Sequence, residues 1–184
     1  MLSITIRKIN LADLDMLQQI SRETFLETFA ASNTEENMNS YLSENLSTDK
    51  LRHELNNPDS LFYFAIHDTN VIGYLKINKG AAQSEKISDR SIEIERIYAL
   101  ASYHGRGVGQ RLLEFAINKA RDLNAAQIWL GVWEENHRAI AFYRKNGFIE
   151  FDRHEFRLGD DIQTDIMMKI DLQHHPVDTR LSKI

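Results

Sequence analysis

Period two is the first clear rhythm in the chain. Residues 3–8, 61–66 and 71–78 are short runs rich in β-branched and aromatic residues, and each predicts a strand. Asp68-Thr69-Asn70 separates the second and third runs and predicts a hairpin turn. Between the first strand and this hairpin the beat changes to three or four. Asn10 suits a helix cap, with Asp13 in the first turn. Leu14, Leu17, Phe25 and Phe29 then recur at helical spacing to about Ala30. A second helix is expected from Asn33 or Thr34, with Met38, Tyr41 and Leu42 as its apolar face. A third starts at Ser47 or Thr48 and must stop at Asn57-Pro58. From Lys79-Gly80 to about Arg90 the chain is polar and without period, and a mobile loop is expected there.

The next stretch combines all three signals. Ile92 and Ile94 alternate with Glu93 and Glu95, a strand whose beat slips at Arg96 before Ile97 and so predicts a bulge. His104-Gly105-Arg106-Gly107-Val108-Gly109 follows as a glycine-rich turn. Val108, Leu112, Ala116, Ala120 and Leu123 then mark one face of an amphipathic helix. A helix start offers unpartnered N–H groups and partial positive charge, and glycines let a ligand approach the backbone. The unit therefore reads either as an anion site for a phosphate, with Arg106 and Arg111 adding charge, or as a plain turn into a helix. No Gly-Lys-Ser/Thr stands here, and a dinucleotide pattern counted from Gly105 meets Gln110 where glycine is required.

After this unit come a buried strand at 127–132 and a helix at 136–146 closed by Gly147. Strands at 148–155 and 162–170 follow, around a turn at Leu158-Gly159-Asp160-Asp161. One domain, residues 1–172, and a tail, 173–184, account for the chain. His174 and His175 in the tail have no partner ligands at a recognised metal spacing.

Composition narrows the chemistry. The chain has 184 residues, 42% of them hydrophobic and 27% charged, the make-up of an ordinary globular domain. No cysteine is present, which excludes thiolate nucleophiles and metal sites and makes a cytoplasmic location the default. No apolar run approaches the length of a membrane span, and no secretory leader is visible. The net charge of −5 argues against nucleic acid as a partner and is compatible with a cationic one.

Two segments carry a resemblance. Ile94-Glu95-Arg96-Ile97-Tyr98-Ala99-Leu100 through Leu113 contains a loop like (Gln/Arg)-x-x-Gly-x-(Gly/Ala), with His104 at its first position. Asn136-His137-Arg138-Ala139-Ile140-Ala141-Phe142-Tyr143, running on to Gly147-Phe148, is like Asn-x-x-Ala-x-x-Phe-Tyr-x-x-x-Gly-Phe. Together they resemble the GNAT superfamily of N-acetyltransferases. Glu23-Thr24-Phe25, Ile94–Tyr98, Ile128-Trp129-Leu130-Gly131-Val132-Trp133-Glu134, and Gly159-Asp160 with Gln163-Thr164-Asp165 extend the likeness to its PaiA-type polyamine acetyltransferases.

The resemblance implies a single α/β domain of mixed α+β character. Its central, mostly antiparallel twisted sheet would have about seven strands flanked by helices, and splayed central strands would form the cleft for CoA. It implies acetyl-CoA as cosubstrate, no metal, a cationic small-molecule amine such as spermidine or spermine as acceptor, and a possible homodimer. Ile97, Tyr98 and Ala99 would hold the pantetheine. His104, Gly105, Arg106, Gly107, Val108, Gly109 and Gln110 would hold the pyrophosphate. Asn136 would bond the pantetheine or simply cap its helix. Tyr143 would protonate the leaving thiolate or simply pack.

A primary amine with a pKa of about 10 needs a base before it can attack a thioester. Glu95 is the first candidate and Glu93 the second, unless both form a solvated strand face; a backbone N–H near Ala99 would take the developing oxyanion. Glu23, Glu27, Glu134, Glu135, Asp160, Asp161 and Asp165 are candidate partners for further ammonium groups. Phe25 and Phe29 read as core packing or as pocket wall. Other acceptors, such as a protein N-terminus or a lysine, and a non-catalytic regulator of transcription are the competing readings.

Overall fold

The computed structural model describes residues 2–158 and 161–172. The tail with His174 and His175, and Gly159 and Asp160 of the expected turn, lie outside the described residues. Among the described residues seven strands form one sheet: β1 (Thr5–Lys8), β2 (Ser60–His67), β3 (Asn70–Lys79), β4 (Ser91–Ala99), β5 (Gln127–Trp133), β6 (Ile149–Leu158) and β7 (Asp161–Asp171). Their order is β1-β2-β3-β4-β5-β7-β6, and only the β4–β5 pair is parallel. The described residues flank it with five α-helices: α1 (Leu14–Phe29), α2 (Glu35–Asn45), α3 (Thr48–Asn56), α4 (Val108–Asp122) and α5 (His137–Lys145). This is the expected mixed, mostly antiparallel sheet.

Local chemistry fixes the helix starts. Asn10 and Asp13 exchange a capping box, but the first turn, Leu11–Asp13, is 3-10 before α1 takes over. Thr34 caps α2 and Ser47 caps α3 through their hydroxyls. Leu123, expected on the apolar face of α4, is instead exposed, because the helix ends at Asp122 and Leu113 fills the buried face.

The sheet separates two apolar layers. Ile92, Ile94, Ile128, Leu130 and Val132 pack with Leu112 and Ala116 of α4 and with Ile140 and Tyr143 of α5. Phe62, Phe64 and Tyr74 pack on the other side with Leu17 and Phe25 of α1, Leu42 of α2 and Leu51 of α3. Each strand therefore sends alternate side chains to opposite helix layers. Among the described residues, no helix is long and apolar enough to cross a membrane.

A bulge in β4 decides which of its side chains face each layer. Lys76 faces Arg96 across the β3–β4 ladder while Ile77 faces Ile94, so Glu95 is the extra residue. The bulge sits one residue before the slip read from the sequence. It turns Glu95 and Arg96 to the same side of the sheet, that of α1–α3, and returns Ile97 to the α4 side.

Candidate active site

The β4–β5 ladder holds for only three residue pairs, ending at Glu93 opposite Trp129. Beyond that point the strands diverge, and the β4 edge from Ile94 to Ala99 has no strand beside it. A cleft of about 1190 Å³ opens there and crosses the sheet between the two helix layers.

At its outer end lies the glycine turn. Gly105 and Gly107 have φ of 75° and 90°, and the space beside both is empty, so the backbone lies bare toward the cleft. The first bonded amide of α4 is that of Arg111, on the Gly107 carbonyl at 3.0 Å. The amides of Val108, Gly109 and Gln110 are thus unspent and converge with the helix dipole.

Side chains of the loop do less. His104 Nε2 lies 2.9 Å from the Ala99 carbonyl and its Nδ1 3.0 Å from Arg138 Nη1. Arg138 donates to Nδ1, so Nε2 carries the proton and donates to the carbonyl; the ring is spent within the protein. Arg106 lies over the Tyr103 ring, and neither it nor Arg111 lines the cleft. Arg138 does line it. Its part was missed from sequence, although it lies within the second matched segment.

Further in, Ile97, Tyr98 and Ala99 form one wall and α5 the other. Asn136 lines the cleft and accepts a bond from the Ala139 amide through Oδ1, the helix cap, which does not use its Nδ2. Cap and ligand contact are therefore compatible. Tyr143 also lines the cleft, and its hydroxyl has no hydrogen-bond partner among the described residues. Burial pushes its phenol well above the ordinary value, so it keeps its proton.

The floor on the α1–α3 side is a polar pit. Asn78 donates from one amide nitrogen to Glu93 at 3.1 Å and to Glu95, and accepts from the Ser60 hydroxyl at 3.0 Å. Glu93 is 3% exposed, while the Glu95 side chain is half-buried and lines the cleft. Neither belongs to an open, solvated strand face.

Their surroundings differ. Glu95 meets Lys76 at 2.5 Å and Arg96 at 3.1 Å. Burial would raise its pKa, but the two cations outweigh it and hold the carboxyl below its usual value. Among the described residues Glu93 meets neutral donors, the Ser84 amide at 2.9 Å, the Ser84 hydroxyl and Asn78. Burial dominates and raises it. Ser84 lies in the segment expected to be mobile. Instead that segment is tied down here, and the neighbouring Gln83 accepts from the Trp129 indole at 2.9 Å.

Aromatic rings close the same side. Phe25 stacks on Tyr41 at 4.2 Å, Phe29 lies 6.0 Å from Trp133, and Tyr74 stacks with Tyr98 at 5.9 Å. Phe25 and Phe29 are both core and wall. Of the expected carboxylates, Glu27, Glu135 and Asp165 line the cleft. Glu27 accepts from the Ala101 amide at 2.8 Å. Asp165 leans against Gly131, with burial raising its carboxyl to about 6 although His154 pulls the other way. Glu23 points outward, Glu134 pairs with Arg153, and Asp161 lies apart in a second hollow beside Asn33 and Asn37.

The chain is similar to known proteins in sequence and fold. Residues 15–148 match the model of the acetyltransferase (GNAT) family. An uncharacterized N-acetyltransferase from the pepI 3′ region of Lactobacillus delbrueckii subsp. lactis is 43% identical over 92% of this chain and 98% of its own. The spermidine N(1)-acetyltransferase of Thermoplasma acidophilum is 31% identical over 80% of this chain and 89% of its own. The crystal structure of PaiA N-acetyltransferase from Thermoplasma acidophilum in complex with coenzyme A superposes with a TM-score of 0.76. Its identity is 29%, over 92% of this chain and 99% of that one. The chain belongs to the GNAT family and is an N-acetyltransferase.

Proposed function

We propose that the cleft binds acetyl-CoA and passes its acetyl group to a primary amine of a polyamine. The observation that carries this reading is the continuity of one passage. Unspent amides at the start of α4 lead along the unpaired β4 edge to a pit where, among the described residues, no ion pair engages Glu93 or Asp165. Bound acetyl-CoA supplies an acyl group already activated as a thioester. The amides of Val108, Gly109 and Gln110 hold its diphosphate, and Arg138 adds positive charge at the same mouth. The backbone of Ile97, Tyr98 and Ala99 takes the pantetheine amides as a neighbouring strand would, with Asn136 Nδ2 donating from α5.

Glu93 is the better proton acceptor of the two β4 carboxylates, because Glu95 is already engaged by two cations. It takes one proton from the incoming ammonium, and the amine nitrogen is then free to attack. Tyr143 donates a hydrogen bond to the sulfur that gains charge as the C–S bond breaks. The nitrogen's second proton ends on that sulfur, and Glu93 returns its own to solvent. A distal ammonium of the acceptor is met by Asp165 and by the faces of Phe29 and Trp133. The similarity to a spermidine N(1)-acetyltransferase supports this acceptor class.

The test is release of free CoA thiol with spermidine, a monoamine, a lysine peptide and an N-terminal peptide as acceptors. Spermidine is expected to give the highest kcat/KM. Lack of turnover with every amine would reject the reading, and preference for a peptide would replace the acceptor class.

A further inference from the structure

Behind the pit, α3 contributes a buried carboxylate that takes no part in the transfer. Glu54 is 8% exposed. It accepts from Arg96 through both guanidinium nitrogens, at 3.0 and 3.2 Å, and from Lys76 at 3.0 Å, with Lys50 farther off at 4.0 Å. Lys76 and Arg96 are the same two cations that reach Glu95. The four side chains form a closed ring of alternating charge. Glu93 stands outside the ring and, among the described residues, is joined to it through Asn78.

This ring is costly to bury, and apolar side chains of similar volume would serve stability as well or better. The β4 bulge builds it. Without the extra residue, Glu95 and Arg96 would point to opposite sides of the sheet, and Arg96 could not reach both carboxylates.

We propose that Glu54 is a positioning residue for proton transfer: it holds Lys76 and Arg96 on Glu95, so that neither cation turns to Glu93 and Glu93 remains the proton acceptor of the pit. This rests on the reading of the cleft as the acetyl-transfer site. Among the described residues Lys50 pairs with Glu54 alone, at 4.0 Å and from an exposed position, so the two cations shared within the ring are set against three carboxylates and the surplus negative charge falls on Glu93.

Counting charges gives the signs. Glu54→Gln removes one negative charge and releases part of the hold on both cations, which then favour ionised Glu93; its titration moves to lower pH. Lys76→Met removes one positive charge and moves it to higher pH. Further charged groups line the cleft, among them Lys50 and His53 around α3, Glu85 in the 80–90 segment, His154 and Arg157 on β6 and Asp165 on β7. They are common to both variants, so opposite movement isolates the ring.

Two readouts are compared. One is the acidic limb of the kcat/KM profile with spermidine. The other is the carbon-13 titration of the Glu93 carboxyl in protein labelled at glutamate, assigned with Glu93→Gln, which needs no turnover. Opposite displacements of about half to one pH unit are expected in both. A limb and a resonance that stay in place, or move the same way in both variants, overturn the inference. If either single variant fails to fold, the pair Glu54→Gln with Lys76→Met removes one charge of each sign. Its Glu93 titration is expected close to that of the unaltered protein, and a midpoint displaced by a full unit overturns the inference. Opposite displacement of the resonance without turnover of any amine upholds the ring and rejects the acetyl-transfer reading.

Discussion

Tyr143 shows how burial sets chemistry at a single residue. Its ring lies between Phe142 and Phe148, which desolvates the phenol and keeps it protonated. Tyr143→Phe keeps the packing and loses only the donor. The expected result is a fall in kcat of about 100-fold with CoA affinity nearly unchanged, read by thiol release and by calorimetric CoA titration. Asp165 shows the same effect on a carboxyl, which burial raises from about 3.8 to about 6. Between those values the folded chain holds a proton that the unfolded chain has lost. Asp165 therefore favours folding at low pH, and that contribution is lost as pH rises through 6. Asp165→Asn is expected to raise stability at pH 7 by about 1 kcal/mol, discounted for the side chain's remaining exposure, and to change little at pH 3.5. Denaturant melts at the two pH values read this. The same variant should weaken spermidine binding and spare a monoamine. Binding of spermidine to the unaltered protein should itself weaken below about pH 6.

At the scale of elements, two glycines hold the cleft in shape for different reasons. Gly73 on β3 sits beneath the end of β4, where a Cβ would lie 2.6 Å from the Tyr98 carbonyl oxygen. Gly73→Ala must push β3 away from the strand that forms the cleft wall. A loss of about 2 kcal/mol and weaker CoA binding are expected, read by thermal melts and by titration. Gly107 has open space around it but a φ of 90°. Gly107→Ala strains the turn into α4 by about 1 kcal/mol and sets a methyl beside the unspent amides. CoA affinity is expected to drop more than stability does, which separates this variant from Gly73→Ala. The β4 bulge is the third device. The strand had to change its beat so that Glu95 and Arg96 could face one helix layer while Ile94 and Ile97 faced the other.

At the scale of the whole molecule, the cleft exists because the sheet is complete everywhere except between the far halves of β4 and β5. Both helix layers reach that gap, α4 and α5 from one side and α1–α3 from the other. A ligand lying in it replaces missing strand contacts and ties the layers together. CoA at about a hundred times its Kd is therefore expected to stabilise the fold by about 2.7 kcal/mol, a rise of several degrees in Tm by differential scanning calorimetry.

Local rules decided much of this protein from sequence. Alternation gave the strands, the 3.6 period gave the helices, and Thr34, Ser47, Asn136 and Gly147 marked ends where the structure has them. The glycine turn before Val108 was legible because its chemistry is main-chain and contiguous. Tertiary structure decided what depends on elements far apart in the chain. Glu93 and Glu95 look alike in an alternating strand. Only the arrival of Glu54 from α3, Lys76 from β3 and Ser84 from the intervening segment makes one carboxylate paired and the other not. Likewise no local signal shows that His104 is spent on Ala99 and Arg138, or that Asp165 alone of the adjacent acidic residues 160, 161 and 165 lines the cleft among those described. A charge's partners are set by position in space, and burial, which gives that charge its energy, exists only once the layers have closed.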